Sequence, residues 1–230
     1  MNKTYAFVLI IFISFGSACY KSGSDNKTRP TTIPATATAS PSPEKSIEPD
    51  NRTKQSQLNG GAPAIYQKAA AELEEVVKKD PKNSQAYFQL GKSYQALKNE
   101  EKAVGAYKKT IEIKPDFAEA NYELGRIYFD KKDFETSLPF LQKAAKIKYT
   151  SAEYLVALGD NYRFLNRCNY AMPPYGNSLG FDDKNAAAYY GMGLCYIELK
   201  NKLAADSQIR PLEKLDKKLA KDLADKIARN

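Results

Sequence analysis

The chain has 230 residues, with 35 lysines and arginines against 27 aspartates and glutamates, and so a formal net charge of +8. It contains no histidine, which excludes Ser-His-Asp triads, the HExxH zinc motif and acid–base catalysis by imidazole. Charged residues make up 27% of the chain and hydrophobic residues 43%, a balance typical of a globular protein and not of a multi-span membrane protein.

Residues 1–18 are predicted to be a signal peptide. The apolar run at residues 6–15 is too short to span a bilayer, since a spanning helix takes about 20 residues. Gly16, Ser17 and Ala18 then precede Cys19, which resembles the lipobox of bacterial lipoproteins, although Gly16 stands where an aliphatic residue is commonest. The resemblance implies that Cys19 is lipidated and becomes the mature N-terminus. Ordinary cleavage after Ala18 is the alternative.

Residues 19–62 are predicted to form a disordered tether that begins at the lipidated Cys19. The segment is rich in serine, threonine and proline and has few large apolar side chains. It therefore cannot bury enough surface to offset the entropy lost on ordering. As a flexible coil it would span roughly 35–40 Å, which would hold a folded domain away from a membrane surface.

The remainder, residues 63–230, contains a repeat with a period of 34 residues. Four stretches align without gaps and share a leucine or methionine, then a glycine, then a tyrosine three residues later. The columns are Leu90, Leu124, Leu158 and Met192; Gly91, Gly125, Gly159 and Gly193; and Tyr94, Tyr128, Tyr162 and Tyr196. The first and third columns are four residues apart, so they share one helical face, where we expect core packing. The glycine lets a neighbouring helix approach closely.

A second helix is predicted in each repeat, packed on the first. Its sequence carries a small column (Ala103, Ser137, Ala171, Ala205) and a large column (Tyr107, Leu141, Tyr175, Ile209). Asn99 and Asp133 are suited to cap this helix. Prolines fall inside it at Pro139, Pro173, Pro174 and Pro211. Because an interior proline removes a hydrogen bond, the adjacent Pro173 and Pro174 predict a late-starting or distorted helix in the third repeat.

This pattern resembles the tetratricopeptide repeat (TPR), which has the same period. The resemblance covers about residues 84–217 and implies an all-α fold, a solenoid of about ten helices in hairpins that form a right-handed superhelix. About four and a half repeats are expected. The units are a half repeat at 63–83, repeats at 84–117, 118–151, 152–185 and 186–217, and a capping helix at 217–229. Amphipathic caps are needed because the terminal apolar faces of a solenoid would otherwise contact water.

The TPR resemblance also implies a concave groove, lined by the first helices, that binds a protein partner. Aromatic side chains interleaved with a few charges suit an extended peptide or a partner helix, although some should pack between repeats instead. Some TPR proteins clamp the terminal carboxylates of a chaperone, but Phe88 and Lys92 occupy the first two clamp places and do not support that specificity. The predicted groove residues are Phe88, Lys92, Gln95, Tyr122, Arg126, Phe129, Val156, Asp160, Arg163, Tyr190, Leu194 and Ile197.

Cys168 and Cys195 are predicted to form a disulfide. If Cys19 is lipidated, an even pair remains in an oxidising compartment. Cys168 begins the second helix of the third repeat, and Cys195 lies in the first helix of the next repeat, which stacks on it. A bridge would stabilise the fold by roughly 3 kcal/mol in the chain-entropy model. Two buried free thiols are the alternative.

No catalytic signature is present: the chain has no P-loop, GxSxG or CxxC motif. The fragment from Gly191 to Gly193 lacks the third glycine of a dinucleotide-binding motif, and Asp182 and Asp183 are expected in a solvated turn. We therefore expect no enzyme activity, cofactor or metal. Lysines and acidic residues are interspersed without a basic block, so nucleic acid is not an expected partner either.

Together these features predict a lipoprotein anchored to a bacterial membrane, with the outer membrane favoured, whose TPR domain faces the periplasm. Its expected role is to scaffold protein–protein interactions in the cell envelope, with secretion, pilus or outer-membrane assembly as candidate processes. The alternative is a soluble periplasmic module that binds a cell-wall glycan or a small ligand in the concave groove.

Overall fold

A computed structural model describes residues 51–230, and their side chains from residue 63 onward. The predicted signal peptide, Cys19 and most of the predicted tether lie outside the described residues. The described part consists of eleven helices and contains no strand. The helices are α1 (Asn51–Lys79), α2 (Ser84–Ala96), α3 (Glu100–Ile113), α4 (Ala118–Asp130), α5 (Phe134–Ile147), α6 (Ala152–Phe164), α7 (Cys168–Phe181), α8 (Ala186–Glu198), α9 (Lys202–Ser207), α10 (Ile209–Leu215) and α11 (Lys217–Ala228).

The helices pair as consecutive antiparallel hairpins, in which α2 packs on α3, α4 on α5 and α6 on α7. The first helices of the four repeats begin at Ser84, Ala118, Ala152 and Ala186, at the 34-residue period of the sequence. Each helix also contacts the next along the chain, so hairpin stacks on hairpin. The predicted all-α hairpin solenoid is therefore confirmed.

The helix starts and the turns within the hairpins repeat with the same period. The predicted caps at Asn99 and Asp133 are confirmed, since their side chains accept hydrogen bonds from the backbone N–H groups of Lys102 and Thr136, both at 3.2 Å. One residue of each turn adopts the left-handed backbone conformation, which is unfavourable for residues other than glycine. These residues are Lys98 (φ 56°), Lys132 (φ 62°), Asn166 (φ 57°) and Lys200 (φ 57°).

The glycine column interlocks with the large column of the second helix. A Cβ atom on Gly91 would lie 2.5 Å from Cε1 of Tyr107, and one on Gly125 would lie 2.6 Å from Cδ2 of Leu141. These side chains occupy the space that a methyl group would need, and both are almost fully buried. The glycines are therefore required because they allow the two helices of each hairpin to approach closely.

In the fourth repeat the interlocking residue is not the predicted Ile209. The second helix of this repeat is divided into α9 and α10. The division falls at Gln208, directly after Ser207, whose carbonyl loses its helical hydrogen bond and is crowded because Pro211 stands four residues later. Leu223 of α11 instead lies against Gly193, 2.5 Å from a Cβ atom built there. The capping helix thus completes the last hairpin.

The predicted late start of the second helix in the third repeat is wrong. Helix α7 begins at Cys168, on the same 34-residue register as α3 and α5, and continues through Pro173 and Pro174 to Phe181. The two missing N–H groups cost hydrogen bonds but leave the register unchanged. Packing maintains the register of α7, because Ala171 and Tyr175, on either side of the two prolines, are fully buried.

Tyr175 also explains the glycine pair in α8. Its ring lies between two first helices, with a Cβ atom on Gly159 2.6 Å from its Cε1 and one on Gly191 2.4 Å from its Cζ. Gly191 therefore makes room for the Tyr175 ring, and Gly193 makes room for Leu223. Both glycines of the fragment have packing roles.

The two ends of the solenoid are covered by amphipathic helices. Helix α1 begins at Asn51, upstream of the boundary at residue 63 assigned from the sequence, and its Ala70, Leu73 and Val77 pack against the core formed with α2 to α4. At the other end, Leu223 and Ile227 of α11 are buried in a cluster with residues of α9 and α10. Both ends thus shield apolar faces from water.

The structure joins Cys168 to Cys195, with their Cα atoms 5.2 Å apart. The pair links the first turn of α7 to the last turn of α8, and both side chains are buried. It therefore connects the third hairpin to the fourth.

Replacing Gly159 by alanine should destabilise the protein by about 1–3 kcal/mol, because the new methyl group would overlap the ring of Tyr175. The measurement is the free energy of unfolding in urea. Gly105→Ala in α3 is the matched control: a Cβ atom there meets nothing within 4 Å. That variant should be neutral or more stable by up to about 1 kcal/mol. Equal effects of the two substitutions would contradict the interlock.

The disulfide predicts that the denatured, non-reduced protein has no free thiol at Cys168 or Cys195, as counted by alkylation and mass spectrometry. The Cys168→Ser/Cys195→Ser double variant should be less stable than the oxidised protein by about 3 kcal/mol. Adding a reductant should destabilise the parent protein and leave the double variant unchanged. Two alkylated cysteines at these positions would show that the bridge does not form.

Candidate functional site

The candidate site is a cavity of about 470 Å³ between α4 and α6, closed at one side by the turn after α7. We call it the α4–α6 cavity. Helix α4 contributes Tyr122, Arg126, Phe129 and Asp130, and helix α6 contributes residues from Ala152 to Asp160, both at the i, i+3 and i+4 spacing of a single helical face. The lining residues are Tyr122, Arg126, Phe129, Asp130, Leu141, Ala152, Glu153, Val156, Ala157, Asp160, Asp182, Asn185 and Ala187.

The cavity brings together five predicted groove residues, all from the second and third repeats. They are Tyr122, Arg126, Phe129, Val156 and Asp160.

A tyrosine network forms one wall of the cavity. The rings of Tyr122 and Tyr154 stack with their centroids 4.3 Å apart. The Tyr122 hydroxyl donates to Oε1 of Glu153 at 2.7 Å and accepts a hydrogen bond from Nη1 of Arg126 at 3.3 Å. Burial is the largest cause that raises the pKa of Tyr122 to about 12. The bond from Arg126 opposes this shift, and the bond to Glu153 adds to it.

Asp160 connects the cavity to the core. Its Oδ1 accepts a hydrogen bond from the Tyr175 hydroxyl at 2.7 Å and forms an ion pair with Nη2 of Arg163 at 3.4 Å. Burial first, and then the charge of Asp160, raise the pKa of the Tyr175 hydroxyl well above its usual range. Arg163 itself is held over the ring of Phe164, 4.2 Å from the centroid, and lies behind the cavity wall instead of in it.

The predicted groove residues of the first repeat do not line this cavity. Phe88 is buried, with its ring centroid 4.8 Å from that of Phe117 and 5.8 Å from that of Tyr107. Gln95 is exposed and donates to Glu123 of α4 at 3.2 Å. Lys92 is exposed, with its ammonium group 5.9 Å from the Phe88 ring. The aromatic side chain here belongs to the core, and the polar ones lie on open surface.

In the fourth repeat, the predicted groove residues are covered by the C-terminal helices. Tyr190, Leu194 and Ile197 are partly buried against the cluster that contains Leu223 and Ile227. The Tyr190 hydroxyl donates to Asp222 of α11. These three side chains thus hold the capping helix in place.

Sequence reasoning missed several residues of the cavity, notably Asp130, Glu153 and Asp182. Asp130 lies one helical turn after Arg126, and Glu153 lies three residues before Val156, so helical spacing could have identified both. Asp182 was expected in a solvated turn. No local pattern predicts its position at the cavity, because the stacking of the third hairpin on the fourth brings it there.

A second cavity, of about 920 Å³, lies on the other side of α6. We call it the α5–α7 cavity. Leu155, Leu158 and Tyr162 of α6 face it, on the helical face opposite to Glu153, Val156 and Asp160. Tyr149, Tyr170 and Phe181 are its exposed aromatic residues.

Among the described residues, no group of three or more histidine, cysteine, aspartate or glutamate side chains is placed to hold a metal ion. Within residues 51–230, no helix has the length and apolar character that a membrane-crossing segment requires.

Comparison with known proteins identifies the repeats. The tetratricopeptide repeat family model matches residues 84–117 and 118–150. No curated protein sequence shows significant similarity to the chain.

Solved TPR structures share the fold. A crystal structure of MamA aligns with a TM-score of 0.58 at 23% identity, over 80% of this chain and 100% of that one. MamA from Desulfovibrio magneticus RS-1 aligns with a TM-score of 0.61 at 17% identity, over 73% of this chain and 93% of that one. YrrB, described as a TPR protein with an unusual peptide-binding site, aligns with a TM-score of 0.65 at 19% identity, over 75% of this chain and 88% of that one.

The chain therefore contains tetratricopeptide repeats and folds as a TPR solenoid. TPR proteins are in general non-catalytic scaffolds that bind peptide or protein partners.

The raised pKa of Tyr122 predicts a loss of stability at alkaline pH. The folded-state pKa of about 12 lies above the ordinary value near 10, so the folded protein holds this proton more tightly than the unfolded chain. The stabilisation is fully present below about pH 10 and is lost as the pH rises towards 12. The difference in unfolding free energy between the parent and Tyr122→Phe should change by about 2 kcal/mol over this range. A constant difference would contradict the assignment.

Proposed function

We propose that this protein is an interaction scaffold whose α4–α6 cavity binds a segment of a partner protein. The observation that carries the proposal is the cavity itself: an apolar floor of Phe129, Val156 and Ala157 bordered by exposed charged side chains. An apolar floor with a polar border is the arrangement that protein interfaces use for an anchoring side chain. The TPR fold and its likeness to a peptide-binding TPR protein support this role.

The cavity is also well prepared for binding. Its walls come from two helices, each held against the second helix of its own hairpin by the glycine interlock, and Phe129 is held by edge-to-face contacts with Phe134 and Phe164, both at 5.3 Å between centroids. A rigid site loses little conformational entropy when a partner binds.

Site-specific photocrosslinking in the native organism tests this proposal. A photoreactive amino acid at Ala187, an exposed residue of the α4–α6 cavity, should crosslink to a discrete partner protein. The same amino acid at Asn177, an exposed residue of the α5–α7 cavity, is the matched control and should give no such product. Crosslinking at Asn177 alone would assign binding to the other face. No protein product at Ala187, together with co-sedimentation on purified peptidoglycan, would favour the glycan alternative.

We further propose that the domain is tethered to a bacterial membrane through a lipid on Cys19. Support comes from the apolar run at residues 6–15 and the lipobox-like residues that follow it. The Ser/Thr/Pro-rich segment after Cys19 has the composition of a spacer between an anchor and a folded domain. Such a tether would place the scaffold beside membrane-bound machinery of the cell envelope, for which secretion, pilus or outer-membrane assembly are candidate processes.

The lipid tether predicts the mass of the mature protein. Intact-mass analysis of the membrane fraction should show a chain that starts at Cys19 and carries added acyl mass, and the Cys19→Ser variant should lose that mass and leave the membrane. A chain cleaved after Ala18 without lipid would instead indicate a free periplasmic protein.

A further inference from the structure

The charge of the α4–α6 cavity is opposite to that of the chain as a whole. Four carboxylates line it, from Asp130, Glu153, Asp160 and Asp182, against the single guanidinium of Arg126. The complete chain has a formal net charge of +8. The negative potential is therefore local, and a cleft lined by one sign of charge attracts groups of the opposite sign.

Three of these carboxylates remain available to a partner. Asp160 is already neutralised by its ion pair with Arg163 and its bond from Tyr175. In the part of the chain that the structure describes, Asp130, Glu153 and Asp182 form no ion pair. All three are exposed.

Arg126 offsets only part of this charge, because it is one cation against three unpaired carboxylates. Its guanidinium lies 5.8 Å from the centroid of the Tyr122 ring, and its Nη1 donates to the Tyr122 hydroxyl. It is thus held against the tyrosine wall. The same Tyr122 hydroxyl donates to Glu153, so that the carboxylate is oriented but keeps its charge.

We infer that the partner segment bound in the α4–α6 cavity is basic, with lysine or arginine side chains placed around an apolar anchor residue. This inference rests on the proposed function and adds the chemical class of the partner. The anchor contacts the floor of Phe129, Val156 and Ala157, while the cations reach Asp130, Glu153 and Asp182 at its border. Opposite charges across an interface speed association and exclude partners of the wrong sign.

The same arrangement disfavours an acidic partner. A terminal carboxylate or a run of glutamates in this cavity would face three unpaired carboxylates, and like charges placed together weaken binding.

Selection from a phage-displayed library of random short peptides on the immobilised full chain tests the inference. The selected peptides should be enriched in lysine and arginine relative to the starting library. The most enriched peptide, synthesised with a fluorescent label, should bind about tenfold more weakly to the Asp130→Asn/Glu153→Gln/Asp182→Asn variant, since each exposed charge contributes little alone. Its affinity for the parent protein should also fall as salt is raised.

The matched control is Glu101→Gln/Asp206→Asn/Glu213→Gln, which removes the same charge from exposed positions outside the cavity and should leave the affinity unchanged. Equal weakening by both triple variants would reduce the effect to overall charge and overturn the inference. A second outcome would also overturn the inference: the selected peptides lack basic residues, yet the Ala187→Trp substitution prevents their binding. The proposed function would then still hold. If no selected peptide binds more weakly to the Ala187→Trp variant than to the parent protein, both the inference and the proposed function are overturned.

Discussion

The fold depends on the contact between a glycine in the first helix of each repeat and a large side chain of the helix packed against it, which is the capping helix α11 in the fourth repeat. Tyr107, Leu141, Tyr175 and Leu223 each occupy the space that a side chain at the glycine would fill. Because the contact is close and repeated, it fixes the distance between helices in every unit, and stacking then repeats the same geometry along the chain. Helices α4 and α6, which line the cavity, are each fixed in this way to the second helix of their own hairpin.

One residue of the interlock also reaches the candidate site. The Tyr175 ring fills the gap left by Gly159 and Gly191, and its hydroxyl donates to Asp160 at the cavity wall. A hydrogen bond from a buried, immobile ring holds a carboxylate in one orientation at little further entropic cost. The core thereby holds Asp160 at the cavity wall, where its ion pair with Arg163 neutralises it. Among the described residues, Asp130, Glu153 and Asp182 form no ion pair, which distinguishes them from Asp160.

The repeat could be predicted from the sequence because each feature of a hairpin recurs at a fixed spacing. The glycine and tyrosine columns, the caps at Asn99 and Asp133, and the buried small column at Ala103, Ser137, Ala171 and Ala205 all depend on neighbours within the same or the adjacent unit. The cavity-lining residues that the second and third repeats were predicted to contribute followed from the same spacing. The outer repeats did not, since Phe88 is part of the core and Tyr190 binds the capping helix. A repeat pattern cannot show which faces the ends of a solenoid cover.

The sequence by itself therefore determined the secondary structure, the period and the hairpin architecture, because these depend on local spacing and on the size of the side chains in each column. Tertiary structure decided the rest. It placed Leu223 where Ile209 was expected, kept α7 in register despite two prolines, and brought Asp182 to the cavity. Each of these outcomes depends on contacts between units that are distant in sequence. Such contacts are settled only when the whole stack has formed, and they produce the acidic cavity between α4 and α6.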